Sequence, residues 1–125
     1  IMRAMHFFAE TKRAKEEAKA LKNRDIHQFL KLVNESGESS GNLLQNLYST
    51  KTPTQQSIPF ALAVSKHILG DKGAVRVHGG GFAGTIQGFV PEELLSEYRI
   101  GMERIFGDGT CHFMKIRPVG GIKII

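Results

Sequence analysis

Four of the six residues at positions 79–84 are glycine, and apolar segments lie on both sides of this stretch. Glycine adopts backbone conformations that other residues avoid, and it lets another group approach the main chain closely. So many glycines cost more conformational entropy than a simple turn requires. We therefore expect something to lie against this backbone, and its free N–H groups are suited to an anion.

The flanking segments predict a β-hairpin. Residues 74–78 alternate, with Val75 and Val77 on one face and Arg76 and His78 on the other. Residues 85–90 alternate in the same way and form the partner strand. The glycine-rich stretch is then the connection of the hairpin.

Four long helices and one short helix are predicted around this hairpin. The first spans residues 1–21, and its packing face is predicted to hold Met5, Phe8, the stem of Lys12, Ala14, Ala18 and Leu21. Asp25 caps a second helix over residues 26–34. Residues 35–42 are predicted to be a loop or broken helix, followed by a short helix.

The third helix has two possible starts. Thr52 and Pro53 suit an N-cap and a first helical position, with Gln55 completing a capping box. Pro59 would kink such a helix, so the alternative start is Pro59 itself. In either case Ile58, Ala61, Leu62, Ser65, Ile68 and Leu69 share a face, and Gly70 ends the helix.

The remainder of the chain predicts a helix from Pro91 to Gly107, a strand over residues 110–117, a turn at residues 118–121 and a last short strand to Ile125. The fold class that follows is α+β, with a mostly antiparallel sheet covered by helices. A length of 125 residues fits one domain, assigned to residues 1–125.

Composition narrows the functional classes. The net charge is +5, and eight of the 17 basic residues lie in residues 1–34, where acids are interleaved with them. That pattern is typical of a solvated helix face, so we expect no nucleic-acid partner. No apolar run is long enough for a membrane span, and a single cysteine fits a reducing, cytoplasmic location. Cys111 is predicted to pack in the core.

Three motif matches fail on their context. The spacing of Gly79, Gly81 and Gly84 matches a dinucleotide fingerprint, but a strand follows it where a helix is required. Residues 78–81 and 37–41 match a hydrolase oxyanion loop and nucleophile elbow, but in the wrong order and without a strand before Ser39. The serines of that second stretch are therefore predicted to cap helices. The five histidines show no zinc spacing, and no metal ligand is assigned.

Residues 75–85, VRVHGGGFAGT, resemble the third motif of galactokinases, which belong to the GHMP small-molecule kinase superfamily and commonly read A-R-M-T-G-G-G-F-G-G-C there. Residues 3–10 resemble their R-x-x-H-x-x-x-E helix, and residues 25–36 resemble G-D-x-x-x-F-G-x-L-M-x-x-S. Thr52-Pro53 and Ile116-Arg117-Pro118 resemble two further family stretches, in the same order. The sequence departs from the family at His78, Ala83 and Thr85, and also at Thr54 and Gln56, where the family has Glu and Asp.

The resemblance implies the ferredoxin-like C-terminal domain of a galactokinase, which transfers the γ-phosphoryl of ATP to the 1-hydroxyl of galactose with Mg²⁺. It implies that an N-terminal domain supplies the phosphate loop and the catalytic Asp and Arg, so residues 1–125 alone are expected to be inactive and hold no catalytic residue. The alternatives are another sugar or metabolite kinase of the superfamily and a non-catalytic sugar sensor. The pocket-forming residues are expected to be Gly79, Gly80, Gly81, Phe82, Ala83 and Gly84.

Overall fold

The computed structural model describes residues 1–82 and 84–116, and within them the chain is an α+β structure. Helices α1 (Met2–Lys22) and α2 (Ile26–Ser39) come first, and a π-helical turn (Ser40–Leu44) continues α2. Helix α3 (Ser57–Leu69), strands β1 (Ala74–Val77) and β2 (Ile86–Phe89), a 3₁₀ turn (Glu92–Leu94) and helix α4 (Leu95–Phe106) follow. No helix among these residues is both long and apolar enough to cross a membrane.

The start of α2 is confirmed and its predicted end is wrong. The Asp25 carboxylate accepts a hydrogen bond from the Gln28 amide at 2.9 Å, as an N-cap does. The helix does not stop at residue 34, because Ser36 is fully buried and bonded to neighbouring elements. Tertiary contacts therefore outweigh the loop-like composition of residues 35–42. Ser40 occupies the C-cap position of α2 with its backbone, and Ser39 makes no side-chain cap hydrogen bond.

Helix α1 forms over the predicted residues but packs with the opposite face. Met5, Phe8 and Leu21 are 56%, 72% and 45% exposed. The residues that turn inward lie at helical spacing and are mostly polar: His6, Glu10, Arg13, Glu17 and Ala20. The apolar-face prediction fails because α2 and β1 present polar partners to this helix, as described below.

Helix α3 begins at Ser57, so the predicted start at Thr52 is wrong. Residues 52–55 form a turn instead, in which the Gln55 amide donates to the Thr52 carbonyl at 3.0 Å. Pro59 lies in the first turn of α3, where its missing N–H breaks no helical hydrogen bond. The predicted packing face is confirmed, with Ile58, Ala61, Ser65 and Leu69 buried, and the helix ends at Gly70.

The predicted hairpin is confirmed. Strands β1 and β2 are antiparallel, with Ala74 opposite Phe89 and Val77 opposite Ile86. Val75 and Val77 are buried, whereas Arg76 on the other face is half-buried. Asn34 of α2 covers the free edge of β1, since its side chain accepts from the Val75 amide at 3.1 Å and donates to the Gly73 carbonyl at 3.3 Å.

The hydrophobic core lies between α3, α4 and the hairpin. It contains Ala61, Leu69, Val75, Tyr98 and Met102. The Tyr98 hydroxyl pairs with the Ser65 hydroxyl at 2.8 Å, which satisfies two polar groups inside the core. Helix α4 therefore packs against α3 through Tyr98 and Met102.

The strand predicted over residues 110–117 is absent from the part that the structure describes, residues 110–116. Cys111 nevertheless packs against the core, as predicted. The described sheet thus has two strands, fewer than the sequence suggested. The predicted turn at residues 118–121 and the last strand lie outside the described residues.

Replacing Asn34 by Ala should lower the free energy of unfolding by about 1–3 kcal/mol, because the Val75 amide is left without its acceptor at the free edge of β1. Urea denaturation measures the change. Lys31→Ala on the exposed side of α2 is the control and should stay within about 0.5 kcal/mol. Equal stability of the two variants would contradict the edge-covering role of Asn34.

Candidate functional site

The connection between β1 and β2 is an exposed loop with unusual backbone geometry. The His78 amide donates to the Thr85 carbonyl at 3.1 Å and closes the loop above the last strand pair. Gly79, Gly81 and Gly84 have φ of 66°, 78° and 78°, and Phe82 has φ of 59°. These values lie in the left-handed region that glycine favours. We call residues 79–84 the glycine connection; Ala83 lies outside the described residues.

Asn46 is hydrogen-bonded to the glycine connection. Its backbone carbonyl accepts from the Phe82 amide at 3.1 Å, and its side-chain amide donates to the Gly80 carbonyl at 3.3 Å. The side-chain oxygen accepts from the Ser40 hydroxyl at 3.1 Å. Asn46 is only 2% exposed. Sequence reasoning missed this residue, and the available signal was the polar pair Gln45-Asn46 between Leu44 and Leu47.

The glycines of the connection meet different surroundings. A Cβ on Gly81 would lie 2.2 Å from the Asn46 carbonyl oxygen, so only glycine fits there. At Gly79, Gly80 and Gly84, no described atom lies within 4 Å of such a Cβ. Gly81 is therefore required by the fold, whereas the other three face open space.

The main chain of the connection contains amides with no described partner. Among residues 1–82 and 84–116, no acceptor is bonded to the amides of Gly79, Gly80 or Gly81. Successive main-chain N–H groups in a turn can bind an anion. These three amides are therefore the candidates for the predicted backbone contact.

An open groove of about 220 Å³ adjoins the connection. It lies between the start of α3, the segment before it and Phe82, which is 60% exposed. Its lining carries no charged side chain and consists of Leu47, Tyr48, Ser49, Thr52, Gln55, Ser57, Ile58, Phe82 and Gly84. Hydroxyl, amide and aromatic groups of this kind suit a neutral polar ligand.

A second set of motif residues forms a polar layer between α1, α2 and β1. We use this name for His6, Glu10, Arg13, Ser36, Ser39 and Arg76. Glu10 accepts from Ser36, Arg13 and Arg76, and the Arg76 guanidinium donates to the Ser36 hydroxyl at 2.5 Å. His6 and Ser39 are joined at 3.0 Å. The layer thus ties the motif residues of α1 to the strand that leads into the glycine connection.

Two carboxyl groups at this layer have pKa values shifted in opposite directions. Burial alone would raise the pKa of Glu10, but the Ser36 hydrogen bond and the charges of Arg13 and Arg76 together hold it below its usual range. Burial and the neighbouring Glu10 charge raise the pKa of Glu17, and one oxygen of Glu17 is buried without a hydrogen-bond partner in the described structure. Glu10 is thus stabilised as an ion, and Glu17 is not.

The other sequence candidates are placed as follows. Ser39 ends a helix, and Gly84 leads into a strand, so neither the nucleophile elbow nor the dinucleotide fingerprint has its required context. His78 is exposed just after β1. Among the described residues, no three His, Cys, Asp or Glu side chains are arranged to hold a metal ion.

No family model matches the chain, and no solved structure matches it.

The two shifted carboxyl groups predict opposite pH responses. A carboxyl group whose pKa is lowered by folding stabilises the protein above its unfolded pKa of 4.5. This stabilisation is lost as the pH falls through the folded-state pKa. A carboxyl group whose pKa is raised by folding makes the free energy of unfolding increase as the pH falls toward 4.5. Glu10→Gln should cost about 1–3 kcal/mol at pH 7 and weaken the loss of stability below pH 4.5.

Glu17→Gln is the matched variant for this test, because it should remove the rise of stability between pH 7 and 4.5 instead. Denaturant titrations from pH 3 to pH 7 measure the free energy of unfolding of the wild type and of the two variants. A pKa shift of one unit corresponds to about 1.4 kcal/mol. Identical pH profiles for the two variants would show that the polar layer does not shift the pKa values of Glu10 and Glu17 in opposite directions.

Gly81→Ala should destabilise the connection, because the new Cβ meets the Asn46 carbonyl and the backbone there has positive φ. We expect a loss of about 1–3 kcal/mol and faster proteolysis within the connection. Gly80→Ala introduces neither conflict and should change stability by less than about 0.5 kcal/mol. Limited proteolysis and thermal unfolding compare the two, and similar losses would argue against the special role of Gly81.

Proposed function

We propose that residues 1–125 are the C-terminal domain of a galactokinase, with the ferredoxin-like arrangement that GHMP kinases have. The full enzyme transfers the γ-phosphoryl of ATP to the 1-hydroxyl of galactose, with Mg²⁺. The observation that carries the proposal is the glycine connection, whose exposed main chain offers unpaired amides at Gly79, Gly80 and Gly81 within the described structure.

The geometry fits the requirements of phosphoryl transfer. Such reactions are accelerated mainly by positioning and by electrostatic stabilisation of the transferred group. Main-chain amides that are fixed before the substrate arrives stabilise developing negative charge without reorganising. In this proposal Gly79, Gly80, Gly81, Phe82, Ala83 and Gly84 act through their backbone, and this domain supplies no catalytic side chain.

The donor set at the connection fits a phosphate group and does not fit Mg²⁺. Magnesium in kinases is held by carboxylates and substrate phosphates. Neither the described part of the glycine connection nor the adjoining groove presents a carboxylate. The proposal therefore assigns the metal, the phosphate loop and the catalytic Asp and Arg to the N-terminal domain, and leaves the amides as this domain's contribution.

The neutral groove supports a sugar as the second substrate. Hydroxyl and amide groups bond to sugar hydroxyls, and the exposed ring of Phe82 offers an apolar surface beside them. These features do not select galactose over related sugars. Another sugar kinase of the superfamily is the second candidate, and a panel of sugars tested with the intact enzyme separates the two.

A non-catalytic sugar sensor is the candidate from a different class. It shares the fold and the sugar contacts but lacks turnover. Calorimetry with galactose and ATP on the intact protein, combined with a product assay, distinguishes binding without transfer from catalysis. The domain contacts a sugar and its own N-terminal domain in this proposal, with neither nucleic acid nor a membrane as partner.

Gly80→Ala in the full-length enzyme tests the role of the connection. The substitution meets no neighbour in the described structure and adds no backbone strain, so it should change only what approaches from outside. We expect kcat/KM for galactose phosphorylation to fall about 10²-fold with an unchanged unfolding midpoint, because a displacement of about 1 Å at the phosphoryl group costs that much. A coupled assay for ADP release measures the rate.

Ser96→Ala, on the exposed side of α4, is the control and should leave the rate unchanged. Full activity of Gly80→Ala would show that nothing approaches the connection during turnover. Galactose phosphorylation by residues 1–125 alone would contradict the assignment of catalytic groups to a second domain.

A further inference from the structure

We propose that Asn46 is a positioning residue for phosphoryl transfer, which fixes the glycine connection in the conformation that aims its amides at the transferred phosphate. This inference rests on the proposed function. Asn46 does not itself touch the substrate; it acts through Gly80, Gly81 and Phe82.

Asn46 makes two hydrogen bonds to the glycine connection, one on either side of Gly81. The side-chain amide holds the Gly80 carbonyl, and the backbone carbonyl holds the Phe82 amide. Gly81 between them has no side chain, which allows the close approach. Two bonds that straddle one residue fix the peptide planes on both sides of it, and hence the directions of the neighbouring N–H groups.

Asn46 is itself held in one orientation. The π-helical turn Ser40–Leu44 ends at Gln45, whose φ of 56° redirects the chain. The buried Ser40 hydroxyl then donates to the Asn46 side-chain oxygen. Because the Gly80 carbonyl can only accept a hydrogen bond, the amide nitrogen of Asn46 must face it. Both ends of the Asn46 amide are therefore assigned by their partners.

The hydrogen bonds of Asn46 lie outside the hydrophobic core cluster. The core cluster is built from α3, α4 and the hairpin strands and contains neither Asn46 nor the residues that it holds. Loss of the Asn46 side chain should therefore loosen the connection more than it unfolds the domain. This separation makes the positioning role measurable apart from a general structural role.

The test uses four variants of the full-length enzyme. Asn46→Ala removes both side-chain bonds, and Asn46→Asp keeps an acceptor for Ser40 but loses the donor to Gly80. Ser40→Ala removes only the support behind Asn46. Asn42→Ala, at an exposed asparagine in the same turn, is the matched control.

Two readouts are measured for each variant: kcat and KM for ATP and galactose, and hydrogen exchange of the peptide that contains the Phe82 amide. Asn46→Ala and Asn46→Asp should lower kcat about tenfold with KM nearly unchanged, since the bond serves the transition state. Exchange of the Phe82 amide should quicken about tenfold in Asn46→Ala. Ser40→Ala should show a smaller effect in the same direction, and Asn42→Ala none.

An unchanged kcat in both Asn46 variants of an active enzyme would overturn the positioning role and leave the proposed function intact. A loss of kcat without faster exchange at Phe82, or one matched by global unfolding, would also overturn it. A wild-type enzyme that phosphorylates no sugar would overturn the proposed function, and the positioning role with it.

Discussion

The antiparallel pairing of β1 with β2 is the interaction on which the described structure depends. Val75 and Val77 turn one face of β1 into the protein, while Asn34 of α2 occupies the free edge of the strand. Since β1 is covered on one edge by a strand and on the other by a side chain, its register is fixed. That register sets where the glycine connection starts and ends.

The polar layer fixes the orientation of α1 and α2 relative to β1 more than it adds to the stability of the fold. Half-buried charged groups lose hydration when they pair, so their net contribution to folding is small. Their geometry is nevertheless demanding, because Glu10 must meet Ser36 and two guanidinium groups together. An apolar seam would allow α1 to slide or rotate; Arg76 instead fixes α1 and α2 to the strand that ends at the connection. The apolar side of α1 consequently faces outward.

The sequence patterns predicted those parts of the fold in which one apolar face determines the packing. The face of α3, its end at Gly70 and the existence of the hairpin follow from spacing and glycine placement alone. The same reasoning failed for α1, because its inward residues match partners on α2 and β1 that lie far away in sequence. It failed for residues 35–42 for the same reason: a serine-rich and glycine-rich composition has no helical pattern until Glu10 and His6 bond to it.

The hairpin connection was predicted from the sequence, but its hydrogen bonds to Asn46 were not. The glycines were visible in the sequence, whereas Asn46 acts across 34 residues on Gly80, and no local pattern records such a contact. The strand expected at residues 110–116 shows the opposite error, in which alternating residues satisfied a strand pattern without a partner strand in the described structure. Local periodicity reports burial, and it does not report which distant group supplies a hydrogen bond.

The glycines of the connection are not equivalent. Gly81 is explained by the close approach of Asn46, and the left-handed backbone explains Gly79 and Gly84. Gly80 has neither explanation, since its backbone lies outside the left-handed region and no described atom lies within 4 Å of a Cβ built there. The Asn46 bond to the Gly80 carbonyl involves only the main chain of residue 80, so no described contact requires glycine there.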